Sequence, residues 1–325
     1  MTGMTASPSL ARHIDAYLSH WRVLGRRYRQ EEWLLGVVLR ELPALGHSDL
    51  TAQSHARWFE ARKDRHPNSR RKWAQLLRHF CLFRRRWDPD CFVPGPELAC
   101  RRQPYVTPVI VGDSQMARLL AAADRLKPGR RSPLRAAMMR IAVVLLYTTG
   151  IRLGELQRLT LGDVEDDTSV LRIRESKFKK TRLVPLSATA RAELCGFLQR
   201  RACAGFCTAA EAALLSAHPR RTGGYSIPGL QAGIRALFRA AAIVDNHGRP
   251  PRIHDLRHSF AIQVLARAYR QDGDVQVLLP KLAMYMGHVS IESTAYYLQW
   301  CEELAALASA RFASRFAHIV SERQS

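Results

Sequence analysis

Between Ser9 and Trp87 apolar residues return every three or four positions: Leu10, Ile14, Leu18 and Trp21, then Trp33, Leu34, Val37, Val38 and Leu39. That interval matches the 3.6-residue helical turn and predicts helices that bury one face. A third helix is expected to begin near Asp49-Leu50-Thr51, where either Asp49 or Thr51 has the short polar side chain of a cap. A fourth is expected over Asn68–Arg86, with Trp73, Leu76, Leu77 and Phe80 as its inner stripe. Pro89, Pro94, Pro96, Pro104 and Pro108 then interrupt the pattern, because proline lacks an amide donor and cannot sit in a helix interior. The break predicts a helical domain over residues 1–100, a linker over 101–108 and a second domain over 109–325.

Helical spacing resumes near Asp113-Ser114 and in a more apolar stretch from Ser132 to Thr148. Between Ser169 and Leu186 the period falls to two, which predicts two or three short antiparallel strands around a basic turn. Helices are expected again over 187–203, 226–241, 255–270, 275–286 and 290–319. The fold class is therefore mainly α with a small antiparallel β-sheet, in two domains.

Charge sharpens this picture. The 325-residue chain carries a formal net charge of +22, and 47% of its residues are hydrophobic, too many for wholesale disorder. Residues 1–100 hold +7 of that charge and the remainder +15, so both domains favour a polyanion, of which nucleic acid is the commonest. The fourth helix concentrates it: Arg70, Arg71, Lys72, Arg78, Arg84, Arg85 and Arg86 occur with no acid between Asn68 and Trp87, which suits a phosphate-facing surface. The seven cysteines lack paired CxxC spacing and read as reduced thiols, with no zinc site expected. The apolar run Ala136–Tyr147 is too short to span a bilayer, and no signal peptide is evident, so a cytoplasmic protein without membrane contact is expected.

Several residues carry candidate chemistry. Arg152 follows an apolar helix and a glycine turn in Thr149-Gly150-Ile151-Arg152, where it can hold a phosphate oxygen or pair with Glu155. His254 and Arg257, three apart in Ile253-His254-Asp255-Leu256-Arg257, would share one helix face. Two guanidiniums can each fork onto a non-bridging phosphate oxygen and stabilise a pentavalent transition state. Lys177 lies in the basic turn as a candidate proton donor, beside Lys179, Lys180 and Arg182, which read as DNA-backbone contacts. His288 follows Gly287 at a helix terminus, and Tyr297 comes nine positions later with Tyr296 as its rival nucleophile. A tyrosine hydroxyl, with an ordinary pKa of about 10, needs cations and a proton acceptor around it to attack a phosphate.

In these residues the chain resembles the tyrosine recombinase (phage integrase) family. Thr149-Gly150-Ile151-Arg152 is similar to its first arginine box, and Ser176–Leu186, ending in Val-Pro-Leu, to its β-hairpin lysine segment. His254-Asp255-Leu256-Arg257-His258 is similar to its His-x-x-Arg box, and Gly287-His288 with Tyr297 to its last. The resemblance covers about Gly112–Trp300; the first domain resembles the family's core-binding domain only in general character. It implies attack by Tyr297 on a DNA phosphodiester, giving a 3′-phosphotyrosine and a free 5′ hydroxyl. Arg152, Arg257, His288 and His254 would stabilise the phosphorane, and Lys177 would protonate the leaving oxygen. Neither metal nor cofactor is implied. Strand exchange would pass through a Holliday junction on double-stranded recombination sites, within a homo- or hetero-tetramer that commonly passes a C-terminal helix, here Glu302–Ile319, between neighbours. The 31 positions between Arg257 and His288 resemble the longer connection of transposon-associated recombinases more than chromosome-dimer resolvers. A type IB topoisomerase-like activity and a catalytically silent DNA-binding protein are the alternatives.

Overall fold

The computed structural model describes residues 8–98, 107–130, 132–174, 181–219, 222–271, 273–287, 306, 307, 309, 310 and 313. The chain divides into two compact units, Met1–Val106 and Thr107–Ser325. Most of the linker expected over 101–108 lies outside the described residues. Among the described residues, no helix is long and apolar enough to cross a membrane.

The first unit is built from helices α1 (Pro8–Val23), α2 (Arg29–Glu41), α3 (Ala52–Glu60) and α4 (Pro67–Arg84). Leu10, Tyr17, Leu35, Leu42, Trp58, Leu77 and Phe80 are buried in its core. On α4 the buried stripe lies further round than expected, through Ala74, Leu77, Phe80, Cys81 and Phe83, leaving Trp73 and Leu76 only partly covered. Of the two candidate caps of α3, Thr51 takes the role: its hydroxyl accepts from the Ser54 amide at 3.1 Å, and the Ser54 hydroxyl accepts from the Thr51 amide at 2.8 Å. Asp49 serves another partner, Arg84, which donates to it from both terminal nitrogens and to Asp88 from Nη2 at 2.7 Å.

The second unit winds around α6 (Arg135–Thr149), whose residues Met138–Leu146 are almost all buried. An apolar helix without a polar face has to be covered on every side, and α5 (Asp113–Asp124), α8 (Ala188–Cys203), α9 (Ile227–Ala240) and α10 (Ile253–Arg270) do so. Gly150 ends α6 in the left-handed conformation and turns the chain into the short α7 (Leu153–Arg158). Two strands, β1 (Val170–Ile173) and β2 (Arg182–Pro185), pair antiparallel with Ile173 opposite Arg182; Leu171, Ile173 and Val184 face the core. The segment before α5 is tied to α10, since the Val111 amide donates to the Ser259 hydroxyl at 2.8 Å. α11 (Val275–Met286) is capped by Asp274, packs on α10 through Leu282 and Met286, and ends at a left-handed Gly287. Among the described residues the architecture is thus mostly helical with one two-stranded sheet, and the helix expected over 290–319 lies almost wholly outside them.

Candidate active site

Arg152, Arg257 and Arg182 reach the C-terminal end of α11 from three different elements. Arg152 occupies the N-cap position of α7 in extended backbone. Its Nη2 donates to the Gly287 carbonyl at 2.9 Å. Arg257 stands one turn into α10, is 1% exposed, and donates from Nη1 to the Gly150 carbonyl and from Nη2 to the Met286 carbonyl at 2.7 Å. Arg182 opens β2 and donates from Nε to the Tyr285 carbonyl at 2.8 Å. Three consecutive carbonyls therefore each receive a different guanidinium. Terminal helix carbonyls have no partner within the helix and carry partial negative charge, so cations belong there.

Glu155 organises the cations. Its side chain is 2% exposed and accepts from Arg152 Nη1 at 2.9 Å and from the Arg152 amide at 2.9 Å. It also accepts from Arg182 at 2.8 and 3.1 Å. Burial is the largest influence on its carboxyl and would raise its pKa, but the Arg182 hydrogen bonds, the Arg152 amide and both positive charges together hold it at about 2. A permanently ionised carboxylate thus fixes two guanidiniums side by side.

His254 lies in the first turn of α10, on the Arg257 face, with its ring edge-on to His258 at 4.7 Å. Burial, then the charges of Arg257 and Arg152, push its imidazole down to about 4. The residue as a whole is exposed, and the two guanidiniums act on its ring from the protein side. A neutral imidazole beside two arginines can accept a proton at neutral pH. A cleft of about 570 Å³ opens here, and His254, Arg257 and Arg252 line it together with Arg235 and Arg239 of α9.

Arg152, His254 and Arg257 are thus brought together. Lys177, Lys179, Lys180, His288, Tyr296 and Tyr297 lie outside the described residues. Two expected DNA contacts take other places. Arg182 is turned inward onto Glu155, with a side chain only 12% exposed, and Arg84 is buried between Asp49 and Asp88. Both are held by carboxylates their helix or strand neighbours do not supply alone. On α4, Lys72 is exposed and Arg70, Arg71 and Arg78 are partly so, with Arg78 donating to the Pro94 carbonyl. In the sequence Glu155 stands out only as a pairing partner of Arg152, although an acid three residues past an N-cap is also the acidic half of a capping box. Arg235 and Arg239 lie outside the motifs that resemble the family, and their i, i+4 spacing on an amphipathic helix is the signal that marks them.

Residues 111–303 match the model of the phage integrase family. The integrase/recombinase y4rE of Sinorhizobium fredii is 31% identical over 302 residues, covering 93% of this chain and 95% of its own. Among solved structures, the Tn1549 transposon integrase in complex with transposon right end DNA superposes with a TM-score of 0.60 at 14% identity, over 97% of this chain and 100% of its own. A lambda integrase tetramer bound to a Holliday junction gives 0.55 at 18% identity, over 91% of this chain and 82% of its own.

Proposed function

The chain belongs to the phage integrase family, the tyrosine recombinases, and from that premise we propose that it cuts and rejoins double-stranded DNA at specific sites through a 3′-phosphotyrosine on Tyr297. The observation that supports this reading is that Arg152 and Arg257 reach the adjacent carbonyls of Gly287 and Met286, just before His288, while the ring of His254 feels the charge of both guanidiniums. Two guanidiniums oppose the charge that builds on the non-bridging oxygens, where preorganised cations contribute most. The Tyr297 oxygen bonds to phosphorus as the bond to the 5′ oxygen breaks. The tyrosine proton passes to His254, and the leaving oxygen takes one from Lys177; His288 adds a donor to the phosphorane. Bond energy is conserved in the phosphotyrosine, so the step consumes no nucleotide. A free 5′ hydroxyl from a second duplex reverses it, and exchange proceeds through a Holliday junction in a tetramer, the assembly the lambda integrase neighbour adopts.

In this reading residues 109–325 perform the chemistry and residues 1–100, tethered through 101–108, grip the duplex. Arg70, Arg71, Lys72, Arg78, Lys179 and Lys180 contact backbone phosphates, joined by Arg235 and Arg239 at the mouth of the cleft. The test is covalent trapping. The protein is incubated with DNA from the ends of its native genetic neighbourhood, resolved under denaturing conditions, and the trapped fragments are sequenced. A protein–DNA adduct is expected that Tyr296→Phe retains and Tyr297→Phe abolishes; an adduct surviving in Tyr297→Phe overturns the assignment.

A further inference from the structure

Arg182 is turned into the protein and holds two of the elements that frame Arg152. Its guanidinium is spent within the protein: Nη1 and Nη2 on the two oxygens of Glu155, and Nε on the Tyr285 carbonyl at 2.8 Å. Its side chain is 12% exposed, and a Cβ built on Gly287 would lie 2.9 Å from its Nη1, so the backbone of Gly287 is pressed directly against it. The same Glu155 carboxylate carries the Arg152 guanidinium, and the same end of α11 supplies the carbonyl that Arg152 reaches. One fork therefore binds both partners on which the placement of Arg152 depends.

We propose that Arg182 is a positioning residue, which orients Arg152 toward the scissile phosphate by holding Glu155 and the end of α11 in register. The inference rests on the transesterification reading above. A planar guanidinium meets Glu155 with two donors while a third reaches Tyr285, and a lysine ammonium, a compact point charge, cannot span all three. A glutamine at 182 removes the charge and most of the fork.

The experiment uses the full-length protein and the duplex recovered by covalent trapping, made once with an ordinary scissile phosphate and once with a methylphosphonate there. The methylphosphonate lacks the anionic oxygen that Arg152 is held to neutralise. On the phosphodiester, Arg182→Gln is expected to slow single-turnover cleavage about 100-fold, the low end for losing one preorganised donor, and Arg182→Lys less, about 10-fold, because it keeps the charge. DNA affinity should stay within about threefold, because no phosphate contact is removed. On the methylphosphonate the gap between wild type and Arg182→Gln should shrink to about threefold or less, since a misaimed Arg152 matters little to a neutral centre. A gap of equal size on both substrates makes Arg182 a general structural support and overturns the proposal. So does an affinity loss as large as the cleavage loss, or Arg182→Lys cleaving at the wild-type rate; that last variant decides if Arg182→Gln does not fold. If wild type forms no adduct at all, the recombinase reading fails; if wild type cleaves and the Arg182 variants match it, this inference alone fails.

Discussion

Arg182 and Glu155, 27 positions apart in the chain, face each other through two hydrogen bonds of 2.8 and 3.1 Å inside the second unit. A buried carboxylate costs several kcal/mol to desolvate, and only its partners offset that cost. Glu155→Gln leaves two guanidiniums facing a neutral amide. It is expected to destabilise the second unit by about 3 kcal/mol, or roughly 6–12 °C in its melting midpoint by scanning calorimetry. The pH dependence follows from the sign of the shift. Because the folded carboxyl sits at about 2, below its ordinary 4.5, its stabilisation is complete above the ordinary value and is lost as pH falls toward 2. The gap between wild type and Glu155→Gln should be constant from pH 8 to pH 5 and narrow below about 4.5; a gap unchanged at pH 3 contradicts the buried ion pair.

His254 is expected to stay neutral well into acid. Its ordinary 6.5 is lowered to about 4 by burial and by the two arginine charges, so the DNA-free protein holds the proton-accepting form at pH 6. Initial cleavage rates at limiting DNA report the free enzyme. They should hold a plateau from pH 7 to pH 5 and fall with a midpoint near 4, and His254→Asn should remove that limb while lowering the plateau by about 100-fold. A wild-type midpoint at 6.5 would show that the guanidiniums do not act on the ring.

What the sequence shows and what it hides divide along physical lines. Long elements with one covered face, such as α1 and α4, repeat their apolar residues at the helical period and are legible. The strands are legible because Val170–Ile173 and Arg182–Pro185 alternate. α7 is only six residues, too short to establish a period, and went unread. Asp49 and Thr51 are equivalent as caps until Arg84, 35 positions away, claims the carboxylate. Arg182 reads as one more cation of a basic turn for the same reason: its partner Glu155 is adjacent only in three dimensions. The order and spacing of Arg152, His254 and Arg257 are legible in one dimension, whereas the carbonyls of Tyr285, Met286 and Gly287 that receive the guanidiniums carry no sequence mark.

Gly150 shows how tightly the turn before Arg152 is built. Its φ is +62°, and an added Cβ would lie 2.5 Å from Cδ1 of Phe260 on α10. Gly46 has a similar φ of +79° but open space around it. Alanine costs about 1–2 kcal/mol at either site from backbone conformation alone, and at Gly150 overpacking adds a further 1–3 kcal/mol or so. Gly150→Ala should therefore cost the second unit more unfolding free energy, read by denaturant titration, than Gly46→Ala costs the first, and should also slow cleavage by displacing Arg152. Equal losses at the two positions would remove the Phe260 contact as a cause.

The two kinds of cation on α4 make separable predictions. Arg84 is buried and paired with Asp49 and Asp88, whose side chains are 29% and 32% exposed, whereas Lys72 is exposed. Replacing Arg84 by methionine strands two carboxylates that still reach water, which lowers the stability of the first unit by about 2 kcal/mol, below the range for a fully buried pair. It releases no counterion from DNA, so the slope of log affinity against log salt concentration should not change. Lys72→Ala should do the reverse, leaving the melting midpoint within about 1 °C and reducing the magnitude of the slope by about 0.9 for one lost phosphate contact. Binding titrations between 50 and 200 mM salt, roughly the window in which counterion release dominates, distinguish the two. A slope reduced by Arg84→Met and unaffected by Lys72→Ala would return Arg84 to the DNA surface and place Lys72 off it.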